Sequence, residues 1–247
     1  MRAVNLLKAE VETLDSFYEG RILVLQKRKG YRFSVDSPLL ADAIQTKSTD
    51  ELLELGAGCG IVSLLLGIKP FRHIVALEIQ ESLADLARRN VKLNSLEGRI
   101  TVIQEDLRAY QPGKKFDVIF SNPPYIKKLG GHLSPSLEKS IAKHELKCDI
   151  FDIMAKTREL LKKEGRAYFI YPTKRKEDLL KAVEKNMLRI KSLRFVQPRR
   201  SAAANLFLVE CDFKARQTLG LPPLILYNEK GDYTPETKKI FSGRIHA

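Results

Sequence analysis

Short apolar runs alternate along the chain with amphipathic stretches, the pattern of a sheet flanked by helices. The runs at 50–55, 73–79, 99–107, 116–120 and 165–171 are rich in Leu, Ile, Val and Phe. Where polar alternation is weak, a strand is expected to be buried on both faces, as in a parallel sheet. Helical spacing over 61–66, 82–94, 150–164 and 174–187 predicts the intervening helices. Two more strands, 190–196 and 205–211, predict an antiparallel pair ending the sheet. Ahead of the sheet, 21–25 and 31–35 read as a hairpin across the turn 27–30, with Gly30 supplying a positive φ. Asp36-Ser37-Pro38 then opens a helix with Leu39, Leu40, Ala43 and Ile44 on one face, capped by Asp36 or Ser37. The expected fold class is α/β, a mostly parallel seven-stranded sheet with an antiparallel last strand pair. Residues 1–49 form a lead-in, 50–214 the main domain and 215–247 a C-terminal extension packing on it.

The ends of the predicted strands carry the candidate chemistry. The first central strand runs through Glu54 into Gly56-Ala57-Gly58-Cys59-Gly60, a strand–glycine loop–helix unit whose backbone a ligand can approach closely. The dinucleotide fingerprint would need a glycine at Ile61, so no pyrophosphate is called for. Glu54 is suited to a ligand ammonium group. Glu78 ends the next strand, 22 residues after Gly56, near the offset at which a carboxylate accepts from ribose hydroxyls. Asp106 ends the third and can accept from an amino group. A lone acid at a strand end is usually just solvated; two at one sheet edge beside a glycine loop read as ligand contacts.

The fourth strand ends in Ser121-Asn122-Pro123-Pro124-Tyr125. Two prolines fix the backbone and donate nothing, leaving carbonyls free. The Asn122 side-chain oxygen and the flat face of Tyr125 join them. Two acceptors beside a stacking platform suit a planar group bearing an NH₂; an ordinary turn is the competing reading.

Charge adds a partner. The net charge is +13, and it is uneven. Residues 1–125 carry 17 Lys and Arg against 16 Asp and Glu, whereas residues 126–247 carry 26 against 14. An acidic partner, nucleic acid foremost, would meet the second half, at Lys127 and Lys128 after the tetrad and at Arg199 and Arg200 between the last two strands. A lysine-rich solubilising surface is the alternative. The three cysteines, Cys59, Cys148 and Cys211, lack the spacing of a zinc or redox site, and no metal is expected. His144-Glu145 would need a second histidine where Cys148 stands to make a metalloprotease site. The apolar runs are too short for a membrane span and the N-terminal stretch lacks a signal-peptide pattern, so a cytoplasmic protein is expected.

Taken in order, Glu54-Leu-Gly-Ala-Gly-Cys-Gly60, Glu78, Asp106 and Asn122-Pro-Pro-Tyr125 resemble the S-adenosylmethionine-dependent methyltransferases with a Rossmann-like fold. The resemblance implies that Gly56, Gly58 and Gly60 pass the methionine moiety, Glu78 holds the ribose and Asp106 meets the adenine. It further assigns Phe33, Asp36, Glu54, Ile79, Leu107 and Asn122 to the cofactor, and the tetrad Asn122, Pro123, Pro124 and Tyr125 to catalysis on a planar nitrogen. The lead-in around 30–41, Ala142-Lys143-His144-Glu145 and the tail from Leu224 to Thr234 are similar to the bacterial adenine-N6 methyltransferases acting on position 37, 3′ to the anticodon, of a valine tRNA. Guanine-N2 methyltransferases of ribosomal RNA and glutamine-N5 methyltransferases of release factors are the neighbouring alternatives. An aryl NH₂ is a poor nucleophile because its lone pair is delocalised. If Asn122 and the Pro123 carbonyl accept its two hydrogens, the nitrogen can pyramidalise toward the donor methyl.

Overall fold

Because strand side chains alternate between faces, a strand apolar at nearly every position must be covered on both sides. The computed structural model, which describes residues 7–8, 10–29, 35–123 and 148–243, meets that requirement with an eight-stranded sheet between two helical layers. In chain order its elements are β1 (Glu12–Phe17), β2 (Ile22–Lys27), α1 (Asp36–Ala43), β3 (Glu51–Leu55), α2 (Ile61–Leu66), β4 (His73–Glu78), α3 (Glu81–Leu93), β5 (Ile100–Gln104) and β6 (Phe116–Ser121). Then follow α4 (Ile150–Leu160), β7 (Leu161–Pro172), α5 (Lys176–Lys185), β8 (Arg189–Gln197), β9 (Leu206–Asp212), β10 (Leu219–Ile225) and α6 (Pro235–Ser242). In β6, Phe116 and Ile119 enter the core under α4 and α5, while Val118 and Phe120 enter the core under α1, α2 and α3.

The sheet order is β10-β8-β9-β7-β6-β3-β4-β5, and β9 alone runs against the rest. The expected α/β class, parallel majority and antiparallel pair are present, and β10 from the C-terminal segment adds an eighth strand parallel to β8. Pro222 and Pro223 fall in an irregularity of this edge strand, between Leu221 and Leu224, where the ladder to β8 shifts register. The chain turns one way from β3 to β4 and β5 and the other way to β6 and β7. This reversal makes a topological switch point, and the crevice beyond its strand ends is where ligands bind in open α/β sheets.

Three local expectations are corrected. The expected strand over 21–25 exists as β2, but its partner is β1, and Lys27 belongs to the strand and not to a turn. The turn is Tyr18-Glu19-Gly20, all with positive φ; Gly30 and residues 31–34 lie outside the described residues. Neither Asp36 nor Ser37 caps α1: both lie in its first turn, with Val35 at the N-cap and no side-chain cap bond. The helix expected over 150–164 stops at Leu160, because Leu161 pairs with Phe116 and Lys162 bonds to Asp117 at 2.8 Å, drawing the segment into the sheet.

The β1–β2 hairpin is fastened to the core by polar contacts. Arg89 on α3 grips Glu12 with two bonds of 2.9 and 2.6 Å, and burial leaves this pair little screened by solvent. At the other end, Arg21 donates to the carbonyls of Ser242 and Gly243, at 2.6 and 3.0 Å, where α6 ends. A cation is favourable at a helix C-terminus. Among the described residues, no helix is long and apolar enough to cross a membrane.

Candidate active site

Parallel strands deliver their C-terminal ends to one edge, so Gly56 after β3, Glu78 at the end of β4, Asp106 after β5 and Asn122 after β6 share that edge. One bond fixes the two halves of the site together. Ser121 Oγ donates to the carbonyl of Leu55 at 2.6 Å, joining the residue before Asn122 to the residue before Gly56.

The loop itself depends on its glycines. Gly56, Gly58 and Gly60 have φ of 76°, 58° and 82°, a region costly for any residue with a Cβ. A Cβ on Gly56 would meet nothing within 4 Å, so this backbone faces open space. A Cβ on Gly60 would lie 3.3 Å from that of Ala87 on α3, where the helix packs close. The amides of Gly56 and Ala57 both donate to the Leu77 carbonyl, at 3.0 and 2.8 Å, which folds the loop over the end of β4.

Two buried carboxylates lie under this loop. Glu78 accepts from Gly58 N at 2.8 Å through one oxygen and from Gln80 N at 2.8 Å through the other. Burial raises its pKa, opposed by the backbone amides of Gln80, Gly58 and Ile79. Glu54 is 2% exposed and accepts from Ser63 Oγ on α2. Burial pushes Glu54 up to about 8; the Ser63 bond works against this, and the charge of Glu78 adds to it. Two acids both raised by burial, with the charge of Glu78 adding to the shift of Glu54, favour a cationic group nearby, because a positive charge offsets desolvation. An ammonium or sulfonium group fits that field, and the open face at Gly56 leaves room for it.

The remaining candidates sort by position. Asp106 is half-buried and held by Arg108, with the shortest of its bonds 2.6 Å. Ile79 is half-buried beside Glu78, and Leu107 is buried. Asp36 is buried in the first turn of α1, next to Ser37, whose Oγ lies 3.4 Å from Asn122 Nδ2. That contact ties α1 to Asn122. Pro123 is buried. Phe33, Pro124, Tyr125, Lys127, Lys128 and the basic loop 127–143 lie outside the described residues. Arg199 and Arg200 follow β8, which runs parallel to the strands of the site, so they stand at the same sheet edge as Asn122.

Ser63 escaped the sequence reading, Ser37 was expected only as a cap and Ser121 only as a strand end; each is a fully buried serine. That burial means each hydroxyl needs a partner. The pattern was visible, but the partner was not.

Known proteins bear on this geometry. The model of the methyltransferase small domain family matches residues 31–191. A tRNA1(Val) (adenine(37)-N6)-methyltransferase of Bacteroides thetaiotaomicron is 35% identical over 144 residues, 58% of this chain and 60% of that protein, so less than two thirds of the relative's length is spanned. The enzyme of that name from Aliivibrio fischeri is 29% identical over 73% of this chain and 77% of its own length. Among solved structures, a predicted O-methyltransferase from Agrobacterium tumefaciens superposes with a TM-score of 0.68 at 19% identity, covering 86% of this chain and 98% of that one. The M. jannaschii tRNA m1G37 methyltransferase gives 0.56 at 19%, covering 82% and 56%. At these identities the structural likeness establishes the Rossmann-like fold alone. With the family model covering more than half of the sequence, the chain belongs to the methyltransferase small domain family.

Proposed function

We propose that this chain transfers a methyl group from S-adenosylmethionine to an exocyclic amino nitrogen of a tRNA base, with N6 of adenine 37 in a valine tRNA the favoured acceptor. The Ser121–Leu55 bond carries this reading, because it holds Asn122 directly against the end of the strand that feeds the glycine loop. A donor pocket and an acceptor-binding amide thereby share one crevice.

In this reading Gly56, Gly58 and Gly60 let the methionine part lie against bare backbone, and Glu54 faces its ammonium group. Glu78 accepts from the ribose with lone pairs left over from Gly58 and Gln80. Ile79, Asp106 and Leu107 would border the adenine; Phe33 and Asp36 are assigned to the same cofactor. When bound, the cofactor supplies an electrophilic methyl group on a sulfonium. Asn122 and the Pro123 carbonyl accept the two hydrogens of the base NH₂ and turn its lone pair out of the ring plane. Tyr125 stacks on the base, an interaction worth about 1–3 kcal/mol. A base in an anticodon loop is at least partly unpaired, which lowers the cost of extruding it.

RNA approaches from the side of β6, β7 and β8. Arg199 and Arg200 stand along that edge, Lys127 and Lys128 follow the tetrad, and the charge excess of the second half supplies the attraction. The names of the curated relatives favour the tRNA and the base chosen here. As an enzyme of tRNA, the chain works in the cytoplasm.

The test is methyl transfer from labelled cofactor to three acceptors: unmodified valine tRNA, ribosomal RNA and a release factor. Nucleoside mass spectrometry should find N6-methyladenosine in the tRNA. N2-methylguanosine in the ribosomal RNA, or a methylated glutamine in the protein, would replace the acceptor named here.

A further inference from the structure

Helix α3 turns Leu83, Ala84, Leu86, Ala87 and Val91 into the core, and one polar side chain interrupts that apolar stripe. Asn90 is fully buried. A buried amide is tolerated where its donors and acceptor find partners, and here they do. Its Oδ1 accepts from Leu25 N at 2.7 Å, and Nδ2 donates to Leu25 O at 3.0 Å. Those two bonds reproduce what a neighbouring strand would offer β2. The other bond of Nδ2 goes elsewhere: it reaches the carbonyl of Cys59 at 2.9 Å, between Gly58 and Gly60.

One helical turn later, Asn94 repeats the strand-like pair on Leu23, accepting from its N at 2.8 Å and donating to its O at 2.7 Å. Its other amide bond returns to Asn90 O at 2.8 Å, inside the helix. The two asparagines therefore do the same work for the hairpin. Asn90 additionally holds the glycine loop.

We propose that Asn90 is a positioning residue for the cofactor loop, fixing the Cys59 carbonyl and so the orientation of the glycine peptides on which S-adenosylmethionine lies. The inference rests on the cofactor reading above. A loop with three left-handed glycines has large conformational freedom, so its ligand-ready form must be held from outside. Glu78 holds it at Gly58 N from β4, and Asn90 holds the next residue from α3. Through the same amide the loop is also bonded to β2, so the N-terminal hairpin and the cofactor site share one buried group.

Asn94 supplies the control. Asn90→Ala and Asn94→Ala each remove a strand-like pair on the hairpin, and both should lower the melting temperature. Cofactor affinity should separate them. By calorimetry on the full chain, Asn90→Ala should bind S-adenosylmethionine about tenfold or more weakly, the scale of a lost buried hydrogen bond and its unpaired carbonyl, while Asn94→Ala stays near wild type. In turnover the loss should appear in the KM for the cofactor, with kcat at saturation little changed. Asn90→Asp keeps the acceptor for Leu25 N and loses the donor for both Leu25 O and Cys59 O. Relative to wild type at each pH, its deficit should shrink as the pH falls and the new carboxyl regains a proton to donate. If Asn90→Ala does not fold, Asn90→Asp carries the same comparison. Equal cofactor affinity in the Asn90 and Asn94 variants would overturn the inference while leaving the cofactor reading intact. Failure of the wild-type chain to bind S-adenosylmethionine would overturn both.

Discussion

Gly58 donates its amide to the carboxylate of Glu78 at 2.8 Å, so the side chain assigned to the cofactor ribose is also a strut of the glycine loop. The second oxygen of Glu78 is held by Gln80 N, which fixes the plane of the carboxylate before any ligand arrives. Preorganisation of this kind lowers the cost of binding.

Glu78→Ala should therefore lose the ribose contact and the strut together, weakening cofactor affinity by about 1.5–3 kcal/mol, the range for hydrogen bonds to a charged group. Glu78→Gln should fall between, because its amide places a donor against one of the two backbone amides that Glu78 accepts from. Calorimetry on the purified variants, run without divalent ions, decides it. Unchanged affinity in Glu78→Ala would remove Glu78 from the site.

Glu54 should leave a mark on the pH dependence of stability. Its folded pKa of about 8 lies above the ordinary 4.5, so between those values the folded chain holds a proton that the unfolded chain releases. Stability then falls as the pH rises through that window. Glu78 is shifted in the same direction. The melting temperature should decline from about pH 5 to about pH 8, and Glu54→Gln should flatten part of that decline. Parallel curves for the two proteins would argue against a protonated Glu54.

Asn122→Ala should leave cofactor affinity nearly intact while the single-turnover rate falls by about 10²–10³, the cost of removing one preorganised polar group. Tyr125→Phe should be tolerated, since stacking needs the ring and not the hydroxyl, and Tyr125→Ala should be severe. A near-normal rate for Asn122→Ala would refute its assigned role.

Reversing Arg199 and Arg200 to Glu should weaken tRNA binding and make its salt dependence shallower, because fewer counterions are released per complex. Cofactor affinity should not change, since these residues follow β8 and not the cofactor strands. Filter binding across a salt series measures both slope and affinity. An unchanged slope would make the charge excess a matter of solubility.

Gly243→Ala should destabilise the fold by about 1–3 kcal/mol, through an overpacked contact and a strained backbone. Gly243 has φ 62°, and an added Cβ would collide with the Tyr18 ring, where the hairpin turn meets the end of α6. Gly98→Ala is the matched control, with nothing within 4 Å of its new Cβ. Urea melts of the two variants should differ clearly.

Much of the site was legible as order along the chain. Apolar runs marked β3 to β6, and a parallel sheet sends every one of those strands to the same edge, so Gly56, Glu78, Asp106 and Asn122 had to meet there once the runs were read as strands. Apolar spacing and glycine position are local properties, set by the pleat and by φ, and a sequence carries them openly. Long-range pairing is different. That β1 pairs with β2, that Leu161 leaves its helix for β7, and that residues 219–225 extend the sheet beside β8 were decided by which edges and faces the assembled core left open. The partners of Ser63, Ser121 and Asn90 belong to the same class. A buried polar group must be satisfied, and the sequence announces that need; only the packed tertiary structure, by excluding water, decides which distant carbonyl or carboxylate meets it.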